Sequence, residues 1–147
     1  MDTDLLCQEL RRDEGVRYAV YLDSKGIPTI GVGHNCQAWP LPVDWVQPLT
    51  DDQVNQLLTH DLDFVFSGLD LHLTWWRQLD EVRQRSIANM CFNMGIQILM
   101  EFHNSLHFMQ TEQYGLAASD FRQSEWFSQV GIRAVRICDA IERGIMD

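Results

Sequence analysis

The chain has 147 residues, 46% of them hydrophobic and 22% charged, which places it among globular domains and excludes intrinsic disorder. A net charge of −10, from 21 acidic side chains against ten arginines and a single lysine, argues against non-specific nucleic-acid binding, because phosphate neutralisation needs a basic face. No apolar run reaches the roughly 18 residues needed to span a membrane, and the acidic, amphipathic start MDTDLLCQELRRDEG lacks the basic and apolar regions of a secretory signal.

This length is one domain with a core large enough to stand without disulfides. The four cysteines (Cys7, Cys36, Cys91, Cys138) are scattered, with no CxxC pair, and read as buried free thiols, with a disulfide or zinc set as the alternative. Residues 3–13 read as a short amphipathic helix with Leu5, Leu6 and Leu10 on one side. From 16 to 36 the pattern changes to alternation at Tyr18, Val20 and Leu22. A turn at Asp23-Ser24-Lys25-Gly26 and a second extended run follow, which together sign a hairpin. Pro28 predicts that the second strand lies at an edge or a bulge.

Residues 35–49, NCQAWPLPVDWVQPL, hold three of the four prolines and form an irregular loop. Its two tryptophans fit a sugar-stacking surface or a satellite core equally well. Thr50-Asp51-Asp52-Gln53 is a capping box that opens a helix of about twenty residues, roughly 30 Å long and sufficient to link two lobes. Helical patterns continue near 79–94, 96–109, 113–123 and 131–143, punctuated by Gly95, Gly115 and Gly131.

Candidate chemistry lies early in the chain. Glu14 follows the first helix, Asp23 comes nine residues later on the turn, and Thr29 six beyond that. Two carboxylates suit acid-assisted cleavage of a glycosidic bond, one protonating the leaving oxygen and the other stabilising the sugar cation or handling the nucleophile. Spacing alone does not establish this. Each residue also has an ordinary role, as a solvated helix end, a turn aspartate and a strand threonine.

Five motifs in collinear order decide the matter. They are Asp13-Glu14-Gly15; Tyr21-x-Asp23 with Gly26-x-x-Thr29-Ile30-Gly31-x-Gly33-His34; Asn89-Met90-x-Phe92-x-Met94-Gly95; Phe102-His103-Asn104-Ser105-Leu106; and Ser124-x-Trp126 with Arg133-Ala134-x-Arg136. Over nearly the whole chain the sequence resembles the phage-type lysozymes of the T-even kind, glycoside hydrolase family 24. The resemblance implies an α+β, lysozyme-like fold in which a small β-hairpin lobe is joined by a long helix to a larger all-helical lobe. The boundaries would be a β-lobe over about 15–49, a linking helix over about 50–70, and a helical lobe of 1–14 plus 71–147.

The resemblance further implies a muramidase that cuts peptidoglycan between N-acetylmuramic acid and N-acetylglucosamine. Glu14 would be the general acid, with Asp23 and Thr29 positioning the attacking water. Phe92 and Ser105 match sugar-contact residues. Two other contact positions depart from the family: Asn35 replaces an apolar residue, and Asp120 replaces an asparagine with a group that only accepts hydrogen bonds. His34 would pair with Asp61 on the linking helix in a structural ion pair, and Arg133 falls where the family places an arginine near the acid.

The histidines His103 and His107 sit four apart, yet no third ligand or HExxH glutamate accompanies them, and no metal or other cofactor is expected. Trp126 is expected in the core. A monomer acting on the bacterial wall is expected, made in the host cytoplasm, released by a holin and acting in the periplasm, without nucleic-acid binding or membrane insertion. The alternatives are a delivered antibacterial lysozyme effector or a catalytically silent peptidoglycan-binding module of the same fold. The acidic charge departs from the family's usual basic character and would slow encounter with an anionic wall.

Overall fold

The computed structural model describes residues 1–146, in which eight α-helices and one small three-stranded sheet make up the expected α+β layout. The chain divides into two compact units, Thr3–Phe64 and Val65 onward together with Met1–Asp2.

The first unit opens with α1 (Thr3–Glu14), whose Leu6 and Leu10 are fully buried. The sequence reading groups residues 1–14 with the helical lobe, whereas here α1 belongs to the same unit as the sheet. Three strands follow: β1 (Arg17–Leu22), β2 (Pro28–Gly31) and the two-residue β3 (His34–Asn35). They pair antiparallel in the order β1-β2-β3.

This corrects the expectation for Pro28. Its strand is central, and the irregularity in register lies in β1 instead, between Arg17 and Tyr21. Pro28 is tolerated because it is the first residue of β2, where a missing N–H costs little, and its carbonyl still accepts from Cys36 N at 2.9 Å.

The loop over 36–49 covers the outer edge of β1. Leu49 N donates to the Tyr18 carbonyl at 2.8 Å, and Val20 N donates to Gln47 Oε1 at 2.9 Å, so one acceptor and one donor that an edge strand would leave open are taken up. The capping box forms as the sequence indicates. Gln53 N donates to Thr50 Oγ1 and Thr50 N to Gln53 Oε1, starting α2 (Asp51–His72). Its Val54, Leu57, Leu58 and Leu62 join Ile30 and Val32 in the core of this unit.

In the second unit a 3₁₀ turn (Trp76–Gln78) precedes α3 (Glu81–Met94), capped by Asp80, which accepts from Arg83 N. Where one helix was expected over 96–109, two form: α4 (Ile96–Leu99) and α5 (His103–Gln110). The chain turns between them so that Leu99 is buried and the Phe102 ring lies 5.3 Å from that of Phe121. Gly115 lies inside α6 (Tyr114–Arg122) and does not punctuate it.

An unanticipated short helix, α7 (Glu125–Val130), is capped by Ser124 accepting from Phe127 N, and α8 (Ile132–Arg143) follows Gly131. Trp76, Ile87, Met90, Leu99, Met109, Phe121, Ile137 and Ile141 form the core here. Arg83 ties three helices together: it donates to the Ile141 carbonyl from α3 and stacks 3.5 Å from the centroid of the Tyr114 ring on α6.

Candidate active site

Glu14 is the last residue of α1. Gly15 closes the helix, with φ +75° and its N–H donating to the Arg11 carbonyl at 2.9 Å, a geometry that glycine adopts without a Cβ penalty. The Glu14 carboxyl is then held against the turn after β2. A Cβ placed on Gly33 would lie 2.5 Å from Glu14 Oε2, and Gly33 also has φ +62°. Only glycine satisfies both the conformation and the approach. The Gly-x-Gly run after Ile30 is therefore the wall against which Glu14 rests.

Asp23 sits at the β1–β2 turn, half-buried. Its Oδ1 accepts from Lys25 N at 2.8 Å and from Ile27 N at 2.9 Å, and its own N–H donates to the Ile27 carbonyl at 3.0 Å. This Asx arrangement fixes the carboxylate by one oxygen and leaves Oδ2 outside these bonds. Thr29, on β2, is 5% exposed. Its hydroxyl donates to the Ile27 carbonyl at 2.8 Å, which commits its proton and turns its remaining lone-pair capacity into an acceptor for a water. Both side chains are thus oriented through the backbone of Ile27.

Tyr21 is the cross-strand partner of Thr29. Burial raises its pKa, and the carboxylates of Glu14 and Asp23 raise it further against the opposing Arg17. The phenol therefore lies in the field of both candidate carboxylates. Arg17 covers the ring with its guanidinium carbon 4.8 Å from the centroid.

His34 Nδ1 lies 2.8 Å from Asp61 Oδ2, and its Nε2 lies 2.8 Å from the Trp39 carbonyl. Both contacts offer the ring an acceptor, a geometry that favours the imidazolium, which donates from both nitrogens. Burial opposes this charge, but the bonds to Asp61 and Trp39 outweigh it and the pKa is raised. His60 Nδ1 meets the other Asp61 oxygen at 3.2 Å, while the Trp39 ring stacks on His60 with centroids 3.6 Å apart. Trp39 thus locks the loop to α2. The Asn35 amide oxygen is engaged locally, Oδ1 accepting from Gln37 N and Ala38 N.

The remaining residues lie in the second unit. Phe92 is half-buried on α3. Ser105, fully buried on α5, donates its hydroxyl to Asp120 Oδ2 on α6. Arg133 Nε donates to Asn89 Oδ1 at 2.9 Å, both being buried. Trp126 is 8% exposed and donates from Nε1 to Asn93 Oδ1. Burial pushes the Cys91 and Cys138 thiols up to about 12, and all four cysteines are free. Among the described residues no three His, Cys, Asp or Glu side chains group so as to hold a metal ion, and no helix is long and apolar enough to cross a membrane.

Structure adds three residues that sequence reasoning left without a role at the site. Gly33 carried a signal, as one of two glycines flanking a valine directly after a strand. Tyr21 was part of a motif, but its position beside both carboxylates depends on strand register. His60 sits next to Asp61 in sequence, yet neighbouring positions on a helix do not normally face one another, and its contact needs the loop to bring Trp39 across.

The phage lysozyme family profile matches residues 11–136. The pre-baseplate central spike protein Gp5 of Enterobacteria phage T4 is 28% identical over 97% of this chain, which spans only 28% of that protein. Probable T4-type lysozyme 1 of Dictyostelium discoideum is 26% identical over 94% of each chain. The endolysin of Salmonella phage P22 is 33% identical over 58% of each. The chain belongs to the phage lysozyme family, and with it to the lysozyme-type peptidoglycan hydrolases.

Proposed function

We propose that the protein is a muramidase that hydrolyses the β-1,4 bond between N-acetylmuramic acid and N-acetylglucosamine. Glu14 gives its proton to the leaving glycosidic oxygen. A water adds to the anomeric carbon as that bond breaks, and its proton passes to Asp23. Thr29 accepts a hydrogen bond from the same water and fixes its direction, so attack comes from the face opposite the leaving group and the configuration inverts.

One observation carries the reading: Thr29 and Asp23 are both aimed through Ile27, the first by donating to its carbonyl and the second by accepting from its N–H. A hydroxyl whose proton is already committed is suited to receive a water, not to compete with it as a donor. Phe92, Ser105, Asp120 and the backbone at Asn35 remain the candidate sugar contacts.

The test is a digest of purified sacculi with product analysis, wild type beside Glu14→Gln. New reducing N-acetylmuramic ends with the wild type alone are expected. An anhydromuramyl product, or full activity in Glu14→Gln, would overturn the mechanism. Binding to sacculi with no release of reducing ends would identify a silent module.

In its biological setting we infer a phage or prophage endolysin acting as a monomer, made in the host cytoplasm and released to the periplasm by a holin. The match to the P22 endolysin favours it. The match to part of a central spike protein favours a second reading, a lysozyme delivered to the wall. Co-expression with a holin separates them, since lysis that depends on the holin supports the endolysin.

A further inference from the structure

His34, Trp39, His60 and Asp61 close a ring of contacts within the first unit, one residue away from the glycine that backs Glu14. His34 Nδ1 lies 2.8 Å from Asp61 Oδ2, and the other Asp61 oxygen lies 3.2 Å from His60 Nδ1. The His60 ring stacks on Trp39 with centroids 3.6 Å and planes 15° apart. Trp39 returns to His34 twice. Its carbonyl accepts from Nε2 at 2.8 Å, and its ring meets the imidazole edge-on at 5.9 Å. A short turn brings it back, with Trp39 N donating to the Asn35 carbonyl at 3.2 Å. The pair expected from the family is His34 with Asp61. Trp39 and His60 add the other sides of the ring.

Trp39 is 39% exposed and the His60 side chain 38%, so neither serves the apolar core of the unit. What they hold is the buried His34, and His34 bears on the site through two connections. It follows Gly33 directly, and the planar peptide between them passes a shift of His34 to the wall behind the Glu14 carboxyl. It also pairs with Ile30 of β2, while its neighbour Asn35 pairs with Thr29. We propose that Trp39 and His60 are positioning residues for the reaction. Trp39 grips His34 at Nε2, and His60 steadies both Trp39 and the Asp61 that grips Nδ1. The clamped His34 then fixes the Gly33 wall and, through it, the direction of the Glu14 carboxyl. The inference rests on the reading of Glu14 as the general acid. Such an acid must reach the leaving oxygen within hydrogen-bond distance, and a displacement of about 1 Å costs roughly 100-fold in rate.

The test has one arm that needs turnover and one that does not. On sacculi, Trp39→Leu should lower kcat per folded molecule by about ten- to 100-fold with KM little changed. Trp39→Phe, which keeps a ring on His60, should recover most of the loss. Ile141→Ala, a cut in the core of the helical unit, controls for lost stability and should leave kcat per folded molecule as in the wild type. Without substrate, Trp39→Leu should shift the NMR signals of the Gly33 amide and the Glu14 carboxyl carbon, and Trp39→Phe should restore them. If Trp39→Leu does not fold, His60→Ala is read in both arms in its place. A wild type that releases no reducing ends sinks the muramidase reading, and the spectra then decide the positioning alone. An unmoved Glu14 carboxyl signal would overturn the proposal. So would a wild-type kcat in Trp39→Leu, or an equal fall in Ile141→Ala.

Discussion

Both units have an apolar core, and they differ in how much of their structure is set by directed bonds. In the helical unit, Trp76, Ile87, Met90, Leu99, Met109, Phe121, Ile137 and Ile141 are each at most 1% exposed, and polar groups mainly cap and clamp the helices. In the sheet unit, β1 is nearly all exposed, and position is set by directed bonds: Asp23 to its turn, Thr29 to Ile27, His34 to Asp61 and Trp39. Apolar packing gives stability without direction, whereas hydrogen bonds to backbone fix orientation at modest net stabilisation. The candidate catalytic residues lie in the unit built for orientation. Damage there should therefore register in rate, and damage in the helical unit in stability.

The largest expected effect that would sharpen this contrast is Glu14→Gln. Loss of a general acid should lower kcat on sacculi by about 100- to 10,000-fold, with circular dichroism and melting unchanged. Phe121→Ala should do the converse, costing about 3–5 kcal/mol by removing a fully buried ring, read as a lower denaturation midpoint. If its kcat in the folded protein also collapses, the division of labour fails.

Gly33→Ala should act on both. A Cβ there meets the Glu14 carboxyl and forces a side chain at φ +62°, at about 1–3 kcal/mol of strain. Activity should fall much further than with the same change at Gly26, where a Cβ meets nothing within 4 Å although φ is also positive. Thr29→Val keeps the shape but removes the hydroxyl offered to the water, while the Ile27 carbonyl keeps its bond from Asp23 N, and kcat should drop about tenfold or more, with Thr29→Ser recovering most of it.

The smallest effect is in pH. The folded pKa of His34 is raised above its ordinary value of 6.5. The pair with Asp61 therefore contributes its full stability below the unfolded pKa and loses it as pH rises through the higher folded one. Chemical denaturation at pH 5.5 and at pH 9 should show this difference, and Asp61→Asn should flatten it.

Much of this fold was legible in the sequence because its signals are local. The capping box at Thr50–Gln53, the Asp23 turn and the apolar spacing of α2 depend on neighbours within a few residues. What was misread depended on distant partners. The 96–109 segment has one helical periodicity, yet it breaks because Phe102 packs on Phe121. Pro28 looked like an edge residue because a third strand of two residues leaves almost no pattern. Helix α7 is six residues long, too short for periodicity to register.

By itself, then, the sequence determined the longer elements, the order of the motifs and the family they spell, since each follows from residue type at short spacing. Only the tertiary structure decided that Gly33 backs the Glu14 carboxyl, that Thr29 gives its proton to Ile27, and that Asp61 serves two histidines. The reason is physical. Which proton is committed and which oxygen stays open are set by groups brought together from separate elements, and spacing along the chain does not encode them.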